Sequence, residues 1–215
     1  MTQKAPPDIA DWLRSLGDVP IDRIVMDPLP GTATERDLLV FVERDKRLVE
    51  LIDGTLVEKP VGWMESRIAM WLAVALGNYI NPRRLGYLTG EAGTLKMKSG
   101  RVRLPDITFV SVDDVPGGVL PHEPIPELPP TLAVEVISDS NTVTEMQQKT
   151  KEYFESGARL VWLIYPSTKT IAVFERFSTE PTRVLSEGDT LDGGRAVPGF
   201  SIAVSEVFVP LTRGF

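Results

Sequence analysis

A glutamate stands inside an otherwise apolar hexapeptide, Leu132-Ala133-Val134-Glu135-Val136-Ile137, whose composition predicts a strand covered on both faces. An unpaired carboxylate in such a layer costs several kcal/mol or takes up a proton, with a pKa rise of about 3 to 5 units. Two compensations are open: a structural Arg or Lys partner, or a divalent cation shared with a second carboxylate. Asp106 is the candidate second acid. It opens the apolar run Ile107-Thr108-Phe109-Val110, and strands consecutive in sequence are often neighbours in a sheet. As a strand-entry residue it can equally hydrogen-bond nearby amides. Two carboxylates suit Mg²⁺ (or Mn²⁺), which keeps several waters and takes one or two protein carboxylates together with substrate phosphate oxygens. Such a cation polarises a phosphoryl group and activates water, and a lysine beside it would position or deprotonate that water and neutralise developing charge. On a predicted helix from about Thr144 to Ser156, Lys149 flanks the apolar stripe of Val143, Met146, Tyr153 and Phe154, about 90° from its centre. From there it can reach along the sheet or extend to solvent. Lys151 lies further round toward water.

The rest of the composition narrows the chemistry. The chain has no cysteine, which excludes disulfides, thiolate nucleophiles and sulfur-based zinc sites. Its single histidine, His122, lies in a proline-rich loop and reads as solvated, so a Ser-His-Asp triad or a His-rich metal centre has no support. Acids, bases and ligands must come mainly from Asp, Glu, Lys and Ser. The net charge is −7, from 23 basic and 30 acidic residues, so no overall field attracts a polyanion and any nucleic-acid contact must be local. With 42% hydrophobic and 25% charged residues the composition is that of a globular protein. The longest apolar run, Ile68 to Leu76, is nine residues, against the roughly 18 of a membrane span, and Met1 to Trp12 has no apolar signal core. A cytoplasmic location without membrane contact is therefore expected.

These residues need positioning elements. Ile9 to Leu16 predicts a short helix, followed by an extended arm through Pro20, Pro28, Pro30 and Gly31. Thr34 caps a predicted helix from Glu35 to about Arg44. Leu48 to Ile52, Asp53-Gly54 and Thr55 to Glu58 give a hairpin signal, because Asp-Gly supplies the positive φ of a two-residue turn. Met64 to Ile80 carries Ile68, Trp71, Leu72, Ala75, Leu76 and Tyr79 at helical spacing, with Asn81-Pro82 as the stop. Leu85 to Thr89, Thr94 to Lys98 and Arg101 to Arg103 predict an antiparallel meander, and Asp106 to Ser111 a further strand. Asp114 to Pro130 is a long proline-punctuated connection. The Glu135 strand, the Lys149 helix ending at Gly157 and the apolar run Leu160 to Tyr165 predict a right-handed crossover between parallel strands. Short strands around Asp192-Gly193-Gly194 and a helical turn capped by Ser205 close the chain. The expected class is α/β (α+β): one mixed sheet with the long helix on one face and the crossover helix on the other.

The run Glu50-Leu51-Ile52-Asp53-Gly54, then Leu104-Pro105-Asp106-Ile107, Val134-Glu135-Val136-Ile137-Ser138, Lys149 before Glu152-Tyr153, and Val161-Trp162-Leu163 resembles the Uma-two family of restriction-endonuclease-like proteins, within the PD-(D/E)XK nuclease superfamily. The likeness covers roughly residues 35 to 209. It implies one restriction-endonuclease-like domain over 35–209, with an antiparallel meander and a C-terminal β extension, preceded by an arm (1–34) and followed by a tail (210–215). It implies a Mg²⁺-dependent endonuclease that hydrolyses DNA and leaves a 5′-phosphate, with Asp106 and Glu135 as metal ligands. The superfamily lysine two residues after the acid is Ile137 here, and the resemblance implies a lysine migrated onto the following helix, Lys149. An auxiliary acid comes from an early element. Glu50 is the family-like choice, and Glu65, in line with Ile68 and Leu72, is the geometric alternative. Where members carry His near the start of the long helix, this chain reads Met64-Glu65-Ser66.

From Arg83 to Arg103 six basic residues (Arg83, Arg84, Lys96, Lys98, Arg101, Arg103) face one acid, Glu91, a local phosphate-binding candidate that also fits solvated strand edges. A homodimer fits the cutting of two strands. The alternative to an enzyme is a catalytically silent nuclease-fold module that binds nucleic acid or protein.

Overall fold

The computed structural model describes residues 8–60 and 62–212. The first seven residues of the predicted arm and the last three of the predicted tail lie outside the described residues. Helix α1 (Ile9–Ser15) is capped by the Asp8 carboxylate. Helix α2 (Glu35–Asp45) begins in a capping box in which Thr34 and Asp37 satisfy each other's backbone N–H. Strands β1 (Val49–Ile52) and β2 (Thr55–Glu58) pair through a turn with Asp53 at φ 47° and Gly54 at φ 75°. Gly54 is required twice there, since a Cβ would also stand 2.6 Å from the Gly31 carbonyl carbon and oxygen. The arm is thereby pinned onto the hairpin, and its Leu16, Val19 and Ile24 pack with Ile52 and Val57.

Helix α3 (Trp63–Arg83) runs through the expected stop at Asn81-Pro82. In the last turn a missing proline N–H costs only one helical bond. Arg84 then closes the helix at φ 53°, its N–H donating to the Asn81 and Ile80 carbonyls.

The expected single sheet is in fact two principal sheets and a small ribbon. Strands β3 (Gly86–Gly90), β4 (Leu95–Lys96), β5 (Val102–Arg103), β6 (Ile107–Ser111) and β7 (Leu132–Val136) lead to helix α4 (Val143–Glu155) and strands β8 (Leu160–Tyr165), β9 (Thr170–Phe174) and β10 (Arg183–Leu185). The six-stranded sheet has the order β10-β9-β8-β7-β6-β3, and β7 and β8 are parallel across the α4 crossover. The predicted meander is split. β3 joins β6, whereas β4 and β5, two residues each, complete a four-stranded antiparallel sheet β2-β1-β5-β4. Strands so short cannot bury a face alone, and β5 gains one by pairing with β1. Strands β11 (Thr190–Asp192) and β12 (Ser201–Ala203) form the ribbon, followed by α5 (Val204–Val207) and α6 (Val209–Thr212). Ala203, not Ser205, stands at the N-cap of α5, without a side-chain bond.

The larger sheet is covered on both faces. Ile68, Leu72, Leu76 and Ile80 of α3 pack on Phe109, Val134, Trp162 and Val173. On the other face Met146 and Tyr153 of α4 meet Ala133, Val161, Leu163 and Ala172. Among the described residues no helix is long and apolar enough to cross a membrane.

Candidate active site

Along β7, Leu132, Val134 and Val136 face α3, and Glu135 alternates with them onto the α4 face. It is 4% exposed. Its Oε1 accepts from the Tyr153 hydroxyl and from Lys149 Nζ at 3.3 Å. No hydrogen bond from the described residues reaches its Oε2. Burial raises the Glu135 pKa; Lys149 offsets part of that rise and the charge of Asp106 adds to it.

Lys149 does not flank an apolar stripe as the helical wheel suggests. It is 1% exposed, between Glu135 and Glu50, whose Oε1 lies 2.9 Å from Nζ. Val143, expected in the stripe, is instead 75% exposed. The inward side of α4 is set by Glu145, Met146, Lys149, Glu152 and Tyr153, because it faces an ion-pair network between the two sheets. Burial works against the Lys149 charge, but Glu135 and Glu50 outweigh it and raise the ammonium pKa. Lys151 is exposed and pairs only with Glu155.

Glu50 on β1 accepts from Lys149, from Arg103 Nη1 at 2.7 Å and from the Leu104 N–H at 3.2 Å. Burial alone would push its carboxyl up, yet Lys149 and Arg103 hold it down at about 2. Arg103 also grips Glu152 at 2.7 and 3.1 Å. Glu65 is half-buried in the first turn of α3 and makes no ion pair among the described residues. Of the two candidate acids, Glu50 is therefore the one joined to the Lys149 and Glu135 group.

Asp106 directly precedes β6. The pairing of Ile107 with Val134 sets it across from Glu135, and its Oδ2 accepts the Val136 N–H at 2.6 Å. Its Oδ1 is 2.8 Å from Lys59 Nζ, which also donates to the Leu104 carbonyl at 2.5 Å. Asp106 lines a cleft of about 290 Å³ together with Ser66, Ala69, Met70 and Ala73 of α3 and the Gly90–Gly93 turn. Asp106 and Glu135 thus form an adjacent pair of oxygen donors, one reaching an open cleft. Among the described residues no group of three or more His, Asp or Glu is arranged around a metal position. Two carboxylates completed by waters and substrate oxygens nevertheless suffice for Mg²⁺, so the donor set fits.

The basic segment does not form one patch. Arg103 is buried in its carboxylate pairs, which removes it as a phosphate contact. Arg101 is taken by Asp53 and Glu152, and Lys96 by Glu35 at 2.7 Å. Arg83 stacks over Tyr79 at 4.0 Å. Arg83, Arg84 and Lys98 remain exposed, and among the described residues none of them pairs with an acid. His122 is exposed in its loop.

Four residues escaped the sequence reading. Tyr153 reads from its spacing as part of the apolar stripe, although its hydroxyl serves Glu135. Glu152 and Glu145 have no role in that reading, although with Lys149 they recur at positions 145, 149 and 152, the spacing of one helix face. Lys59, just before Pro60, carried no pattern at all.

The arrangement of this mixed sheet with its two covering helices is that of a nuclease-like fold. The chain is similar to the crystal structure of a "putative nuclease belonging to DUF820" from Anabaena variabilis, with a TM-score of 0.68, 18% identity, and 77% of this chain and 92% of that chain covered. Residues 36–205 match the Uma2 family, described as "Putative restriction endonuclease", and the chain belongs to that family. No curated protein matches it.

Proposed function

We propose that the protein is a Mg²⁺-dependent (or Mn²⁺-dependent) endonuclease of the PD-(D/E)XK type that hydrolyses DNA phosphodiester bonds. The observation carrying this reading is the pairing of Asp106, at the cleft, with Glu135, a buried carboxylate that keeps Oε2 out of its own hydrogen-bond network. Asp106 and Glu135 would hold the cation, which supplies Lewis-acid polarisation of the phosphoryl oxygen and activation of the attacking water. The chain's own contribution is to keep the two acids in place. The Val136 N–H orients Asp106, and Tyr153 with Lys149 fixes one oxygen of Glu135. Lys149, sealed between Glu50 and Glu135, acts in this reading as a positioning residue rather than as a base for water. Glu50 in turn holds Lys149. DNA phosphates would be met by Arg83, Arg84 and Lys98.

The silent-module reading draws support from the Lys59 ammonium, which already sits against Asp106. Incubating supercoiled plasmid with Mg²⁺ or Mn²⁺ separates the two. The parent should nick or linearise it, while Asp106→Asn and Glu135→Gln should fall by at least about a hundredfold, as loss of electrostatic stabilisation at a reacting phosphate predicts. Cleavage that survives both substitutions, or a parent that leaves plasmid intact, would refute the enzyme.

A further inference from the structure

Lys59 directly follows β2 of the four-stranded sheet and sends its side chain across to Asp106, which directly precedes β6 of the six-stranded sheet. The residue is 7% exposed. Its ammonium contacts Asp106 Oδ1 at 2.8 Å and the Leu104 carbonyl at 2.5 Å. A buried ammonium has three donors to place, and these two oxygens are the partners found among the described residues. Its charge also acts on Glu135. A positive group that touches one carboxylate of the pair and is felt by the other has the electrostatic position of a cation shared between them. Without it, Glu135 would keep Lys149, but Asp106 would lose its ion-pair partner among the described residues beside a second, poorly hydrated carboxylate, a costly arrangement.

Resting on the reading of Asp106 and Glu135 as metal ligands, we propose that Lys59 is a positioning residue that substitutes for the divalent cation in the metal-free protein. Its ammonium neutralises the acid pair and competes for it, and so sets the affinity for metal. The ammonium is carried on a four-carbon stem with several rotatable bonds, which lets it leave Asp106 without a change in the backbone. A purely structural tether between the two sheets would share the same contacts but make the opposite prediction. Removing a tether loosens Asp106 and weakens metal binding, whereas removing a competitor strengthens it.

The test is calorimetric titration of the full chain with MnCl₂ and no nucleic acid, for the parent, Lys59→Met, Lys59→Arg and Asp106→Asn, with melting curves taken with and without Mn²⁺. Lys59→Met should bind Mn²⁺ about tenfold more tightly than the parent, and Lys59→Arg should stay within about twofold of it. Lys59→Met should also melt lower than the parent without metal and gain more on adding Mn²⁺, because binding to the folded state alone stabilises it. A folded Lys59→Met that binds Mn²⁺ no more tightly than the parent would overturn the proposal. So would a Lys59→Met that fails to fold even with Mn²⁺, which is the behaviour of a tether; a variant that folds only with Mn²⁺ would support the proposal. If the parent binds Mn²⁺ and Asp106→Asn does not, an unchanged Lys59→Met defeats this inference alone. If neither parent nor Lys59→Met binds, the metal reading falls and this inference falls with it.

Discussion

The two faces of the six-stranded sheet meet the same requirement, exclusion of water, with opposite materials. Under α3 the contacts are apolar throughout: Ile68, Leu72, Leu76 and Ile80 against Phe109, Val134 and Trp162. Under α4 a comparable layer is interrupted by Glu135, Lys149, Glu50, Arg103 and Glu152, each nearly sealed and each held by another charge. Apolar burial contributes about 1.5 to 3 kcal/mol for each large side chain, whereas buried ion pairs return little net stability for their desolvation. The α3 face therefore builds the fold, and the α4 face spends stability to hold carboxylates in a fixed arrangement beside a cleft.

That contrast can be broken by substitution. Arg103→Met would leave Glu50 and Glu152 without their shared partner, and urea unfolding should show a loss of about 3 to 5 kcal/mol. A loss below 1 kcal/mol would mean the network is not the coupled unit described. On the opposite face Leu72→Ala should cost about 2 to 5 kcal/mol by leaving a cavity, and that cost should be the same at pH 4 and pH 7. Acid should act on the α4 face alone. Glu50 is held at about 2 against a usual 4.5, a folded-state pKa below the unfolded one. Its contribution, on the order of 3 kcal/mol, is therefore present above about pH 4.5 and lost as pH falls toward 2. The stability gap between the parent and Glu50→Gln should narrow across that window, and a gap that stays constant would contradict the ion-pair assignment.

Smaller effects sharpen the boundary of the charged face. Thr142 caps α4 in a capping box with Glu145, so Thr142→Ala should cost about 1 kcal/mol in thermal unfolding. Val143→Ser should change stability by less than about 0.5 kcal/mol, since an exposed residue loses no packing. A cost above 1 kcal/mol would restore Val143 to the core.

The last case marks how far the sequence could be read. Local signals with one dominant cause were legible: the Asp53-Gly54 turn, the Thr34 cap, the periodic apolar face of α3 and the β7-α4-β8 crossover. The anomaly at Glu135 was legible too, because a charge inside an apolar run contradicts its surroundings. What failed was whatever depended on long-range pairing. The two short strands β4 and β5 leave the meander because β1, some fifty positions earlier, offers β5 a partner, as the Leu51 to Val102 pairing shows, and β4 follows by pairing with β5. The orientation of α4 was misjudged because apolar periodicity assumes an apolar neighbour, while Glu145, Lys149 and Glu152 turn inward toward Arg23, Glu50 and Arg103. Lys59 was invisible for the same reason, since its partner lies 47 positions away and no spacing rule connects them.

The central claim is that Asp106 and Glu135 together hold a divalent cation. Anomalous diffraction from crystals of the parent protein soaked in Mn²⁺ tests it most directly. The account predicts a single strong peak between the two side chains, about 2.1 Å from Glu135 Oε2 and from an Asp106 carboxylate oxygen, with the Lys59 ammonium withdrawn. A map with no peak at that position, or with manganese bound only elsewhere, would contradict it.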